Sequence, residues 1–181
     1  MKNADLEITC RVATIYDVEE IRNLVQSRVI SKDSRAITGL RGYSVPSVDK
    51  YRRRLNHGTL LVATANEKIV GFADSYRSHT LPHQFPSDPV VEKISELHPL
   101  QFSYNNTIVL SQDYEGTIAS RLLMQGRLDA NRGIPCLTAI MHEPLLNEKS
   151  IAFVKKFGFE QIGSVRAFDG YTFGIYLCKN L

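Results

Sequence analysis

Val109-Leu110-Ser111-Gln112-Asp113-Tyr114-Glu115-Gly116-Thr117-Ile118-Ala119-Ser120-Arg121-Leu122-Leu123 joins a strand end to a helix start through a short polar turn. It opens at the end of a strand-like run, residues 102–110 (Phe-Ser-Tyr-Asn-Asn-Thr-Ile-Val-Leu). It crosses a polar turn, 111–117, that contains Gly116, and then enters a helical pattern from Ile118 to about Arg132. Leu122, Leu123 and Leu128 supply the apolar set of that helix, and Gly133 ends it. A strand that passes through a tight turn directly into a helix is a building block of an α/β layer.

Working toward the C-terminus, residues 136–142 read as a strand and Asn147 caps a helix that finishes at Phe157-Gly158. Residues 159–167 and 171–178 form two strands, with Asp169-Gly170 as the hairpin signal between them. Toward the N-terminus, residues 69–76 and 59–65 are strands joined by the turn Asn66-Glu67-Lys68. A short helix precedes them, capped by Ser47, with Val48, Tyr51 and Leu55 on one face and Gly58 as its stop. Residues 31–46 are polar, hold Gly39, Gly42 and Pro46, and read as a long irregular loop. Before them, residues 7–13 alternate as a strand, and Thr14 with Asp17 forms a capping box. That box opens a helix with Val18, Ile21, Leu24 and Val25 inward, fading near Ile30. Residues 78–101 carry four of the seven prolines and three of the five histidines, with a helix start at Ser87-Asp88-Pro89. The segment reads as a surface insertion in one domain spanning 1–181. The order β-α-α-β-β-β-α-β-α-β-β predicts helices covering a mixed sheet, part of it antiparallel because of the closing hairpin.

The totals narrow the class. A chain of 181 residues, 43% hydrophobic and 23% charged, is an ordinary globular composition for one domain. The net charge of +3 is spread along the chain, which argues against nucleic acid as a partner. The densest basic run, Arg52-Arg53-Arg54, reads as a solvated helix face in preference to a phosphate patch. Cys10, Cys136 and Cys178 are odd in number and lack zinc-site spacing; Cys136 and Cys178 sit in apolar runs and read as buried small hydrophobes. That usage suits a reducing, cytoplasmic location. The first ten residues have no signal-peptide pattern, and no apolar run is long enough for a membrane span.

Three local patterns carry a family resemblance. Arg11-Val-Ala-Thr-Ile-Tyr-Asp17-Val-Glu-Glu-Ile21-Arg-Asn-Leu24 looks like an opening strand and helix. The stretch 109–123 looks like a cofactor strand, loop and helix. Asn147-Glu-Lys-Ser150-Ile-Ala-Phe153-Val154-Lys-Lys-Phe157-Gly158-Phe159 looks like a late helix with an Asn start and a Gly-Phe finish. In this order they resemble the GNAT (Gcn5-related) N-acetyltransferases over nearly the whole chain, most strongly over 106–160. The resemblance implies a GNAT-like α/β fold: a mixed, mostly antiparallel sheet flanked by helices, with splayed central strands. It implies acetyl-CoA as cosubstrate and no metal. The cofactor's diphosphate would meet the helix N-terminus and the amides of the turn, where Gly116, Ala119 and Ser120 keep the backbone approachable and Thr117 adds a hydroxyl; Glu115 and Ile118 complete this segment. The backbones of Ile108, Val109 and Leu110 would bind the pantetheine amides, and Asn147, Ser150 and Phe153 would face the cofactor. An N-cap role for Asn147 is equally consistent with its position.

Departures from the family pattern shape the catalytic reading. The turn is one residue short and carries Glu115 where the family prefers Arg or Gln. A carboxylate beside a diphosphate is repulsive by roughly 1 kcal/mol at about 4 Å in water, so Glu115 is expected to point to solvent. The family's acid on the late helix, a Tyr, is replaced by Val154, which has no proton to give. The strand before the turn offers Tyr104, Asn105 and Asn106 and no carboxylate, so His142 and Glu143, at the end of the next strand, are the candidate bases. An exposed structural carboxylate is the other reading of Glu143. The catalytic set is therefore Glu143, His142 and Tyr104, acting on an amine of a small molecule or a protein. Arg28, Arg35, Tyr43, His79, His83 and Phe85 fall in the segments that shape the acceptor pocket by resemblance. A metal at His79, His83 and His98 is the less favoured alternative, because their spacing fits no standard site. A homodimer fits the resemblance, and no membrane partner is expected. The rival function is a GNAT-shaped module that binds acyl-CoA or a partner without turnover. A nucleic-acid binder stands further off.

Overall fold

A computed structural model describes residues 7–31, 34, 40, 41, 43–167 and 170–179. The expectations placed on the first six residues and on Arg35, Gly39, Gly42 and Asp169 lie outside these. The elements in chain order are β1 (Ile8–Val12), a 3-10 turn (Ile15–Asp17), α1 (Val18–Ser27), β2 (Val29–Ile30), β3 (Leu40–Arg41), α2 (Val48–His57), β4 (Gly58–Ala65) and β5 (Lys68–Arg77). There follow α3 (Leu81–Gln84), α4 (Pro89–Leu97), β6 (Ser103–Leu110), α5 (Ile118–Ala130), β7 (Cys136–Glu143), α6 (Glu148–Lys155), β8 (Glu160–Arg166) and β9 (Thr172–Cys178). Seven strands are hydrogen-bonded in the order β1-β4-β5-β6-β7-β9-β8. The sheet is mixed and mostly antiparallel, with the parallel pair at β6 and β7. No helix among the described residues is long and apolar enough to cross a membrane.

Two compact units divide the chain, one from residues 1–74 and 107–130, the other from 75–106 and 131–181. In the first, Asp17 organises the entry to α1. Its carboxylate accepts from the Thr14 amide at 2.6 Å and the Thr14 hydroxyl at 2.9 Å, and takes a two-point ion pair from Arg11 at 2.7 Å. The Arg11 guanidinium beside it holds the Asp17 carboxyl at about 2, well below its ordinary 3.8, with the Thr14 bonds adding to the effect against burial. Val18, Ile21, Leu24 and Val25 are all buried and pack with Tyr51, Leu60, Phe72 and Val109. A second apolar cluster joins Leu61, Ala63, Val70, Ala119 and Leu123, with Ile108 and Leu110 against it.

In the second unit, Asp88 caps α4 by accepting from the amides of Val90 and Val91. Leu81 and Ile94 are fully buried among Tyr76, Phe102, Tyr104, Leu137 and Ile175. The prolines of 78–101 thus punctuate two helices with apolar faces, where the sequence suggested one short helix. Cys136 and Cys178 are buried, opposite one another in the β7–β9 register.

Three further details depart from the sequence reading. The first helix ends at Ser27, and Val29-Ile30 pairs in parallel with Leu40-Arg41; two β-branched residues in succession favour extension over another helical turn. Gly58 stops α2 in an extended conformation (φ −141°) and so starts β4 directly. Arg54 is not on a solvated face: it is 3% exposed and paired with Asp74 at 3.5 Å, while Arg52 and Arg53 do face water.

Candidate active site

The turn after β6 belongs wholly to the first unit. Gly116 has φ +74°, the left-handed region that favours glycine, and a Cβ built there would meet no atom within 4 Å. Conformation is therefore what requires glycine here, and the space in front of it is open. Thr117 caps α5: its hydroxyl donates to the Tyr114 carbonyl at 2.7 Å and accepts from the Ala119 amide at 3.3 Å. The Ser120 hydroxyl donates to the Thr117 carbonyl. Both hydroxyl protons are thus engaged locally. Among the described residues the amides of Gly116, Ile118 and Ser120 have no protein acceptor. They form a short row of donors at the positive end of the helix dipole.

Glu115 does not point to solvent alone. Its carboxylate forms an ion pair with the Arg28 guanidinium, at the end of α1, and both side chains are largely covered. The carboxylate that the sequence sets beside the turn is thereby neutralised by a partner 87 residues away. No spacing rule predicts such a pair.

β6 leaves its parallel partner early. The registered pairs of β6 with β7 are Ser103↔Cys136 and Tyr104↔Leu137, while β7 stays paired with β9 from Cys136 to Glu143, with a register shift between Met141 and Glu143. At the parting point the Thr138 hydroxyl donates to the Asn105 carbonyl at 2.9 Å. Further along, the Ser111 amide donates to the Val70 carbonyl and the Thr107 amide to the Asp74 carboxylate. Successive amides of a strand point to opposite sides. The amides of Ile108 and Leu110 therefore point away from β5, and that of Val109 points toward it.

The remaining sequence-chosen residues lie in the second unit. Asn147 caps α6 by accepting from the Ser150 amide at 3.1 Å, and its own amide donates to the Met141 carbonyl. Among the described residues the side-chain NH2 of Asn147 has no partner. Ser150 and Phe153 are half-buried, Phe153 edge-on to Phe157 at 5.2 Å. Val154 is buried. Tyr104 lies within the apolar cluster, edge-on to Phe85 at 6.1 Å. At the end of β7, His142 Nε2 lies 2.9 Å from the Tyr176 hydroxyl, and Glu143 accepts from the Thr172 hydroxyl at 2.6 Å. Among the described residues no group of three or more His, Cys, Asp or Glu side chains could hold a metal ion.

Two features escaped the sequence reading. Asp74 is a buried residue within the strand Ile69–Tyr76; Arg54 pairs with its carboxylate, and Arg127 approaches its backbone. Arg127 Nη1 approaches the carbonyls of Asp74 (3.4 Å) and Thr107 (3.2 Å). Tyr176 is the other. For Asp74 the available signal was a charged residue inside an otherwise uncharged strand, and for Tyr176 a hydroxyl inside the apolar run Gly-Ile-Tyr-Leu-Cys.

Strand order, the early parting of β6 from β7 and the glycine turn into α5 together define the fold of the GNAT N-acetyltransferases. Solved structures with this fold include an N-acetyltransferase from Staphylococcus aureus Mu50, with a TM-score of 0.63 and 19% identity over 95% of this chain and 98% of that one. Arabidopsis thaliana NAA60 in complex with acetyl-CoA aligns with a TM-score of 0.67 and 14% identity, over 95% and 99% of the two chains. Drosophila melanogaster polyamine N-acetyltransferase aligns with a TM-score of 0.63 and 13% identity, over 95% and 99%. A scan against family models finds no match, and neither does a sequence search of curated proteins.

Proposed function

We propose that this protein transfers an acetyl group from acetyl-CoA to a primary amine by direct attack in a ternary complex. The observation that carries this reading is the strand parting: β6 stops pairing with β7 at Tyr104 and turns the amides of Ile108 and Leu110 away from β5. Such unpaired strand amides suit a ligand that is itself peptide-like, as a pantetheine arm is. On this reading the Gly116, Ile118 and Ser120 amides bind the diphosphate, and the free NH2 of Asn147 holds the arm. The fold's likeness to structures described as N-acetyltransferases, and to another solved in complex with acetyl-CoA, supports the same chemistry.

For transfer, the amine must lose a proton before its nitrogen can attack the thioester. His142 is the base in this proposal, because imidazole is matched to neutral pH. Glu143 is held by Thr172 and serves the site through its charge. The Leu110 amide stabilises the oxyanion, in preference to that of Val109. With Val154 in place of an acid, CoA departs as the thiolate, a tolerable leaving group with a thiol pKa of roughly 8.5.

The test has two stages. Calorimetry with CoA reads binding; free-thiol release then follows acetyl-CoA mixed with spermidine, agmatine and a peptide with a free N-terminus. Binding followed by turnover on one amine supports the proposal. Binding without turnover on any amine supports a second reading, a CoA-binding module without catalysis, which the buried Val154 favours. No heat and no thermal stabilisation at millimolar CoA overturns both.

A further inference from the structure

The strand-end histidine is held in an unusual way. In the β7–β9 ladder, Thr138 lies opposite Tyr176 and Ile140 opposite Gly174, and the register shifts between Met141 and Glu143. The His142 side chain does not stay at its own rung. It lies back across Gly174 to place Nε2 at 2.9 Å from the Tyr176 hydroxyl, with the two rings inclined at 67°. Gly174 is what permits this path: a Cβ there would stand 2.3 Å from His142 Nε2 and 2.4 Å from Cε1. No positive φ requires glycine at 174, so the open space over the strand is the structural reason for it.

Among the described residues the imidazole has one hydrogen-bond partner. Tyr176 is 1% exposed, and burial pushes its hydroxyl above the usual 10, so it stays a neutral phenol at physiological pH. The neighbouring carboxylate of Glu143 is occupied by Thr172. Among the described residues His142 Nδ1 has no protein partner, and it is not among the buried unpartnered atoms. One ring nitrogen is thus anchored inside, and the other is open.

We propose that Tyr176, seated beside Gly174, is a positioning residue that holds the His142 imidazole with Nε2–H on the phenol oxygen and Nδ1 outward as the proton acceptor. The inference rests on the reading of His142 as the base. In the step it serves, Nδ1 takes a proton from the acceptor ammonium, while the Nε2–H bond stays on Tyr176 and steadies the imidazolium. A neutral phenol orients the ring without adding a fixed negative charge beside it.

Nitrogen-15 NMR of the wild-type protein tests the geometry without any acceptor. The expected spectrum shows His142 protonated at Nε2, bare at Nδ1 in the neutral form, with an Nε2–H that exchanges slowly with water. A proton on Nδ1 in the neutral form, or an Nε2–H in rapid exchange, overturns the inference. Kinetics use acetyl-CoA and the fastest amine of the panel. His142→Ala should lower kcat by about a hundredfold or more. Tyr176→Phe and Gly174→Ala should each lower kcat by about tenfold, the scale of one lost hydrogen bond, with KM for both substrates unchanged. In the His142→Ala background Tyr176→Phe should add nothing. An equal Tyr176→Phe loss in that background marks a merely structural role and overturns the inference. Loss in His142→Ala with wild-type rates in Tyr176→Phe and Gly174→Ala overturns it too, yet leaves His142 as the base. A wild-type rate in His142→Ala removes the base reading itself.

Discussion

The two units build their polar interiors from different materials. All the buried charged side chains among the described residues belong to the first: Asp17, Arg54, Asp74 and Arg127. In the second the buried polar residues are neutral: Ser75, Ser103, Asn105, Asn131 and Thr138. The contrast follows from what each must do. In the first, Asp74 accepts the Thr107 amide and Arg127 reaches the Thr107 and Asp74 carbonyls, so charged groups grip β6 by its backbone just before the turn. Charge-assisted bonds hold backbone firmly, at a large desolvation cost. In the second, the histidine offered as a base lies against the hydroxyl of Tyr176.

The contrast breaks most readily at Asp74. Asp74→Ala leaves Arg54 buried without its carboxylate and orphans the Thr107 amide, a loss of about 3–5 kcal/mol in urea or thermal unfolding. Ser103→Ala, in the neutral interior of the other unit, should stay within about 1 kcal/mol of wild type. Comparable losses from the two substitutions would show that the distinction between charged and neutral interiors has no energetic content.

The turn gives the next largest effect. Gly116→Val places a β-branched residue at φ +74°, with strain of about 1–3 kcal/mol. The added side chain also fills the open space before the amides. CoA affinity should fall at least tenfold by calorimetry. Glu115→Gln should act in the other direction. It removes a carboxylate and frees Arg28, so CoA binding should tighten by about threefold to fivefold, a change of roughly 1 kcal/mol or less. Weaker binding would mean that the Glu115–Arg28 pair shapes the turn instead of merely neutralising it.

Local devices were legible in the sequence, and distant pairings were not. The Thr14–Asp17 box, the Ser47, Asp88 and Asn147 caps, and the glycines at 116, 133 and 158 act within a few residues, so their residue types and spacing suffice. The order of elements along the chain followed from the succession of such devices, and the GNAT fold from the family resemblance; the order of strands in the sheet did not. Arg54 and Asp74 are 20 residues apart, Arg28 and Glu115 are 87, and His142 and Tyr176 are 34. Each pair is made by tertiary packing, and one sequence contains no periodicity that announces it. Arg54 was misread for that reason: three consecutive arginines suggest a wet helix face, yet the third lies on the same face as Tyr51 and is drawn inward by a carboxylate on another strand. Among the site residues, Gly116 and Asn147 were readable as backbone devices. The surroundings of His142 were not, because the space that admits it is a missing side chain at Gly174.

The smallest effect sits on the exposed counterpart of the Asp74 pair. Asp17 is buried, but its partner Arg11 is 46% exposed, so water screens the pair. The carboxyl is held at about 2 against an ordinary 3.8, a depression. A depressed acid contributes stability in full above its ordinary value and loses it as the pH falls through the folded value. After discounting for the exposed arginine, the contribution is about 1 kcal/mol. Asp17→Asn should therefore cost about that much at pH 7. The gap between variant and wild type should stay constant down to about pH 4 and close between there and pH 2. A gap that persists at pH 2 would assign the stabilisation to the hydrogen bonds with Thr14, which an amide oxygen can keep only in part. A gap several times larger at pH 7 would place Arg11–Asp17 with Arg54–Asp74 as a desolvated pair, and the division between buried and screened charge within the first unit would fail.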